Sequence, residues 1–268
     1  MSEADVRLTD DGPGTALITG ASAGIGRALA REFAAHGHDV VLVARREERL
    51  ESLAEELERE GATAEPIAMD LDRASAAEDL RDEAVDRGLD VDILVNNVGV
   101  GTYGPFAESD LDGERTQLRL NVVLPVELTR LFLDEFEDSD GTPKILNVGS
   151  VAGFQPGPNL AGYYASKAYV NSFTEAVAEE LRGTVDVTLL CPGPVETEFQ
   201  SRAGMGDSTV GSITSNTPEA VAGAAYEGLM AGETVVIPSR AMRVVDLIGR
   251  VAPRRVVRRV AAWVNGGR

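Results

Sequence analysis

The sequence predicts a single α/β domain: a doubly wound, mostly parallel seven-stranded sheet with helices on both faces. Three observations carry that expectation. Strand-like and helical runs alternate along the chain, which is the order a parallel sheet requires. The strand-like runs are continuously apolar, as in Val40-Val41-Leu42-Val43, and strands covered on both faces read this way. The first strand also runs into a glycine-rich turn and then a helical pattern, the start of a βαβ unit.

The elements follow in order. Ala16–Thr19 is the first strand, and Leu29, Phe33 and their alanines give Gly26–His36 a helical apolar stripe. Strands are expected next at Asp39–Val43, Thr63–Met69, Ile93–Val95, Lys144–Val148, Val185–Leu190 and Thr234–Ile237. The helices between them are expected at Arg46–Glu60, Ser75–Arg87, Leu111–Glu137, Gly162–Arg182 and Pro218–Ala231. Glu198–Asn216 breaks the pattern: 19 residues rich in glycine, serine and threonine with no period. Loops of that length in compact domains tend to be functional, so a lid is expected there.

Composition bounds the function. A chain of 268 residues with 43% apolar content can bury one full core. Three regions are expected: a flexible acidic extension at 1–13, the domain at 14–238 and a basic segment at 239–268. The start is polar and acidic rather than basic then apolar, and no run approaches the ~18 apolar residues of a membrane span. A cytoplasmic location is expected. Cys191, the only cysteine, sits in an apolar run and reads as a small buried hydrophobe. No metal site is expected. His36 and His38, at a helix end, read as surface polarity.

Net charge is −19, and of 25 basic residues only Lys144 and Lys167 are lysines. Such a surface repels nucleic acid and most anionic membrane, so no nucleic-acid partner is expected. A salt-adapted surface is one explanation, because molar salt screens self-repulsion within about 3 Å. From Ser239 the balance inverts: eight arginines face one acid, Asp246, a net +7 that leaves −26 on residues 1–238. At about 100° per residue from Arg254, the arginines at 254, 255, 258 and 259 share one side. Val256, Val257, Val260, Ala261, Trp263 and Val264 take the other. An amphipathic basic helix is expected after Pro253. Its apolar face is expected to pack on the domain or a neighbouring copy while its arginines pair with the acidic body. Contact with a membrane surface is the alternative.

Two motifs carry chemistry. In Thr19-Gly20-Ala21-Ser22-Ala23-Gly24-Ile25-Gly26 the strand, turn and helix start place backbone N–H groups where a diphosphate would sit. In Tyr163-Tyr164-Ala165-Ser166-Lys167 a phenol and an ammonium lie one helical turn apart. A lysine about 5 Å away at an effective dielectric of about 20 favours phenolate by roughly 3 kcal/mol. That would lower a tyrosine pKa by about two units, toward the working range of an acid/base. Tyr164 is about 100° round the helix and is assigned to the wall.

With Asp70-Leu71, Asn96-Asn97-Val98-Gly99, Asn121, Ser150 and Pro192-Gly193-Pro194-Val195-Glu196-Thr197, these motifs make the chain resemble the short-chain dehydrogenase/reductases, of the compact Rossmann branch, over roughly residues 14–238. Val98 departs from the family's usual alanine. The resemblance implies hydride transfer between a nicotinamide and a carbonyl or secondary alcohol of a small molecule, and a homodimer or homotetramer. Catalysis is then expected from Asn121, Ser150, Tyr163 and Lys167, with Asn121 holding a water that links Lys167 to solvent. Gly20, Ser22, Gly24, Ile25 and Gly26 would hold the diphosphate. Asp70 and Leu71 would meet adenine, and Asn97 and Gly99 its ribose. Lys167 would also bind the nicotinamide ribose beside Tyr163, and Pro192, Gly193, Val195 and Thr197 would pack against the carboxamide. Asp70 could equally be a helix N-cap. Ala44 stands where an NAD site usually has an acid, and Arg45 and Arg46 follow, which points to the 2′-phosphate of NADP(H) rather than to NAD. A non-catalytic nucleotide-binding relative would have lost the tyrosine or lysine. An epimerase of the extended branch would need a substrate domain larger than residues 239–268.

Overall fold

The computed structural model describes residues 14–138, 141–195, 197–199, 203 and 216–266. The expected extension at 1–13 and most of the expected lid, including Met205, lie outside the described residues. The seven strands are β1 (Thr15–Thr19), β2 (Asp39–Ala44), β3 (Ala64–Ala68), β4 (Val91–Asn96), β5 (Lys144–Val148), β6 (Asp186–Leu190) and β7 (Val235–Val236). They form one sheet in the order β3-β2-β1-β4-β5-β6-β7, and every pair is parallel. The order reverses between β1 and β4, which opens a crevice at the strands' carboxyl ends. Pro66 sits inside β3, where edge position spares it an inner ladder bond.

The apolar runs explain the two layers. In β1, Ala16 and Ile18 point to one core and Leu17 to the other, as successive strand side chains must. The first core is closed by α1 (Gly24–Ala35), α2 (Glu47–Arg59) and α7 (Pro218–Met230), through Leu29, Phe33, Leu53, Leu57, Val221 and Leu229. The second is closed by α3 (Ala76–Asp86), α5 (Leu124–Glu135) and α6 (Ala161–Glu180), through Leu80, Leu128, Phe132 and Val177. Burying a leucine or phenylalanine side chain stabilises by about 1.5–3 kcal/mol, so the two cores hold these six helices against the sheet.

Three expectations change, and one element is added. The helix expected over Leu111–Glu137 is two helices, α4 (Leu111–Leu118) and α5, joined by a π-helical turn at Arg119–Val123. Pro125 explains the break: it has no N–H to return to the carbonyl of Asn121, four residues back, and its ring crowds that carbonyl. His38 is not surface polarity. It is 2% exposed, bonded through Nδ1 to Gly14 O (3.2 Å) and through Nε2 to Tyr226 Oη (3.1 Å), with its ring edge-on to Phe33. The helix expected after Pro253 is present as α9 (Arg254–Val264), and the basic segment holds a further helix before it, α8 (Arg240–Val251). Within the chain the apolar face is not packed on the domain: Val256, Val260 and Trp263 are exposed, and only Ala261 of α9 is buried. Among the described residues, Arg254, Arg255, Arg258 and Arg259 form no ion pair with the acidic body.

Candidate active site

A cleft of about 1150 Å³ runs along the carboxyl ends of the strands, from Arg45 at one end to Tyr163 and Asn265 at the other. Its floor begins at the β1–α1 turn. Gly24 has φ +57°, a conformation that L side chains rarely adopt. Gly26 lies against the Gly20 carbonyl and the Asn97 amide, so no Cβ fits there. Helix α1 carries no acid in its first turn and no side-chain cap, which leaves its leading N–H groups and positive dipole end for an anion from outside the helix. Ile25 lines the cleft and packs on the core beneath. These residues fit a dinucleotide diphosphate.

Thr19, at the end of β1, ties the turn to β4. Its hydroxyl donates to Val95 O (3.2 Å) and accepts from the N–H groups of Asn97 (3.0 Å) and Val98 (3.2 Å). Asn97 Nδ2 donates back to Thr19 O at 2.8 Å. The side chain of Asn97 is therefore a structural clamp, and it places Asn97 and Gly99 on the cleft wall.

The far end tests the phosphate assignment. Ala44 is buried and Arg45 is exposed, with its Nε 4.0 Å from Asp70 Oδ1. Arg46 is already engaged: its guanidinium donates to Ser22 Oγ (2.9 Å) and to Glu198 Oε2 (2.9 Å). Glu198 also takes Arg49, at 2.7 Å. Asp70 does not cap a helix. Its carboxylate accepts from Asp72 N (3.2 Å), α3 begins after Ser75, and Leu71 is buried beside it against the second core.

The other end of the cleft is assembled by α6. Tyr163, Lys167 and Asn171 recur every fourth residue and share one face of α6, turned inward on the sheet. Lys167 is 5% exposed and donates to Val148 O at 2.7 Å. Burial pushes its ammonium down to about 8. Tyr163 does not follow the expected direction: burial pushes its phenol up to about 12, and the hydrogen bond with Ser150 only partly opposes this. The ammonium is turned to the Val148 carbonyl and does not set the phenol's pKa; desolvation dominates.

Ser150 follows β5, where its Oγ accepts from Ala152 N (3.1 Å) and faces Pro192 O. Asn171 holds it from below: Nδ2 donates to Ser150 O (3.0 Å), and Oδ1 accepts from Ser150 N (3.4 Å). Asn171 was not among the expected site residues, although the i+4 repeat from Tyr163 through Lys167 marks it. A buried polar ladder continues under the site, from Thr174 to Asn147 to Asn96. Asn121 sits in the π-helical turn and is 1% exposed. Its amide pairs with the backbone of Val100, with both bonds at 2.9 Å, and donates to Ser166 Oγ at 3.0 Å. A Cβ on Gly99 would lie 3.2 Å from Asn121 Oδ1 and 3.5 Å from Lys167 Nζ, so these three meet at one point.

The remaining wall comes from the other loops. Pro192 O accepts from Val151 N, Gly193 faces Met242 of α8, and Val195 is bridged to Asn216. Thr197 packs its methyl over Gly24. Phe199, not singled out in the sequence, stacks at a tilt 5.2 Å from the Tyr163 ring. Tyr164 is wall, its ring over Gly157 and its hydroxyl on Asn265 Oδ1 (3.3 Å). Cys191 lies in a small apolar cluster with Leu189 and Ile237.

Comparison with known proteins agrees with this geometry. The short chain dehydrogenase family model matches residues 14–207. A short chain dehydrogenase of Pseudocercospora fijiensis is 39% identical over 189 residues, covering 69% of this chain; the chain spans only 60% of that relative's length. Among solved structures, a short-chain dehydrogenase from Sphingobium yanoikuyae in complex with NADPH superposes with a TM-score of 0.79 at 33% identity, covering 88% of this chain and 93% of its own. A short chain dehydrogenase/reductase from Burkholderia phymatum in complex with NAD gives 0.80 at 26% identity, covering 90% and 94%. With the family model matching residues 14–207, a span that holds both the glycine turn and Ser150, Tyr163 and Lys167, the chain belongs to the short-chain dehydrogenase/reductase family.

Proposed function

We propose that the protein is an NADP(H)-dependent oxidoreductase that interconverts a carbonyl and a secondary alcohol on a small molecule. The observation that carries the cofactor choice is the end of β2: buried Ala44 offers no carboxylate to a ribose hydroxyl, and Arg45 stands exposed at the cleft's edge beside Ser22 and Arg46. On a chain of net −19, an exposed arginine at that point favours an additional phosphate, with Arg45 the group for it because Arg46 and Arg49 share Glu198. Relatives of this fold are found with NADPH and with NAD, so the preference rests on these residues.

When bound, the nicotinamide supplies or accepts the hydride. The chain's own residues do the rest. Gly20, Gly24 and Gly26 with the start of α1 would hold the diphosphate; Asp70 and Leu71 would hold the adenine, and Pro192, Gly193, Val195 and Thr197 the carboxamide side. Ser150 and Tyr163 would donate to the substrate oxygen, polarising it. A phenol held at about 12 keeps its proton at neutral pH, so Tyr163 is set up as the acid for reduction. Lys167, at about 8, stays largely charged at pH 7 and would steady negative charge as Tyr163 gives up its proton. Asn121, whose carbonyl Pro125 cannot cap, would hold the water that returns a proton through Lys167. A homodimer or homotetramer belongs to the same proposal.

The test is Arg45→Ala, with dissociation constants measured for NADPH and NADH. A charge-assisted bond to phosphate is worth roughly 1.5–3 kcal/mol, so NADPH should weaken about ten- to 150-fold while NADH barely changes. Equal losses for both cofactors would overturn the assignment.

A further inference from the structure

Helices α8 and α9 present an outer face that the rest of the described residues leave uncovered. Of the 14 exposed large apolar side chains among the described residues, seven lie on α8 and α9. They form stripes: Val244, Leu247 and Val251 on α8, and Val256, Val260 and Trp263 on α9, spacings that put each trio on one helical face. Beside the α9 stripe run the four exposed arginines at 254, 255, 258 and 259. The inner end of the same helix is part of the cleft, which Trp263, Val264, Asn265 and Gly266 line.

Asn265 fastens that end. Its carbonyl accepts from Tyr103 Oη (2.9 Å) and Asn159 Nδ2 (3.1 Å), and its Nδ2 donates to Pro158 O (3.0 Å). Its Oδ1 accepts from Tyr164 Oη. Helix α9 is thus anchored at the mouth of the cleft, with Trp263 both lining the mouth and 78% exposed outside it.

We propose that α8 and α9 lie on an anionic lipid surface, and that the cleft opens onto that surface at Trp263. An apolar stripe flanked by arginines, with a tryptophan at its end, has the make-up of a helix seated in the headgroup boundary. A second copy fits less well. A two-fold pairing through this face would set the two arginine clusters against each other, with Asp246 the only acid in the segment. A head-to-tail pairing of the arginines with an acidic body would give a ring or an open filament rather than a two-fold dimer. The substrate class follows: an apolar ketone or aldehyde, or its alcohol, that partitions into lipid and enters beside Trp263. That clause rests on the carbonyl chemistry proposed above; the surface itself does not.

Trp263 is the only tryptophan, so intrinsic fluorescence reports this position alone. The intact protein should be titrated with phosphatidylglycerol and with phosphatidylcholine vesicles, at the lowest KCl that preserves its far-UV spectrum. The expected result is a blue-shifted emission and co-sedimentation with phosphatidylglycerol only, both lost at molar KCl. Replacing the four arginines by glutamine should weaken vesicle binding at least tenfold. It should lower kcat/KM for a long-chain ketone presented in vesicles and leave that for a water-soluble ketone unchanged. No shift with either vesicle would overturn the proposal. So would equal, salt-independent binding to both, or a shift that grows with protein concentration alone as light scattering shows a dimer. Vesicle binding with no turnover of any carbonyl would keep the surface and remove the reductase reading.

Discussion

At the scale of single residues, the decisive contrast is between two titratable groups on one face of α6. Burial drives Tyr163 up to about 12 and Lys167 down to about 8, so each is moved toward its neutral form by the same desolvation. A protonated phenol in hydrogen-bond contact with Ser150 is suited to give a proton to a developing alkoxide. Tyr163→Phe keeps the ring and its packing against Phe199 and removes only that proton. Reduction should fall by at least about 100-fold, the scale of general acid catalysis, with NADPH affinity within a few-fold of the parent. Turnover within tenfold of the parent would take Tyr163 out of the acid role and bring Tyr164 forward. Asn171 shows what residue types alone leave hidden. An asparagine in a helix reads as a weak helix former, and only its four-residue spacing from Lys167 marks it as the group that holds Ser150 through both backbone polar atoms.

At the scale of elements, the sheet and its flanking helices were legible because each carries an apolar period that only one burial satisfies. Both cores follow from those periods. What was not legible depends on contacts made by distant residues. His38 follows a glycine at a helix end, a position that reads as solvent-facing; Tyr226, from α7, is what buries it. The π-helical turn was half legible, since Pro125 stands four residues after Asn121 and cannot complete an α-helical bond there. The site residues named by motif line one cleft except Asn121, which is buried behind it on Val100 and Ser166, and the motif could not show that Arg46 is taken up by Ser22 and Glu198. His38 also gives the junction of α1 and α7 a pH dependence. Burial lowers its folded pKa below the usual 6.5, so the unfolded chain binds a proton that the folded one refuses. Its contribution to stability is present above about pH 6.5 and is lost as pH falls through that value. The drop in melting temperature between pH 7.5 and 5.5 should therefore be smaller in His38→Gln than in the parent. An equal or steeper drop would show that His38 accepts the proton in place.

At the scale of the whole molecule, charge is divided unevenly: −26 on residues 1–238 and +7 on the segment that follows. Among the described residues, α9's arginines do not fold back to neutralise the body, so the acidic surface keeps its self-repulsion. Local pairs offset little of it. Arg130–Asp134 and Arg182–Glu179 are exposed, and exposed pairs contribute about 0–1 kcal/mol each. Screening is the remaining remedy, with the Debye length falling from about 10 Å at 0.1 M to about 3 Å at 1 M. Melting temperature should therefore rise with KCl, by about 5 °C or more between 0.1 and 2 M, roughly 2 kcal/mol for a chain of this size. The same salt should loosen the arginines' hold on anionic vesicles, so stability and lipid attachment should move in opposite directions along one titration. A flat melting temperature across that range would show that the carboxylates are spaced widely enough not to repel, and the salt-adapted reading would fall.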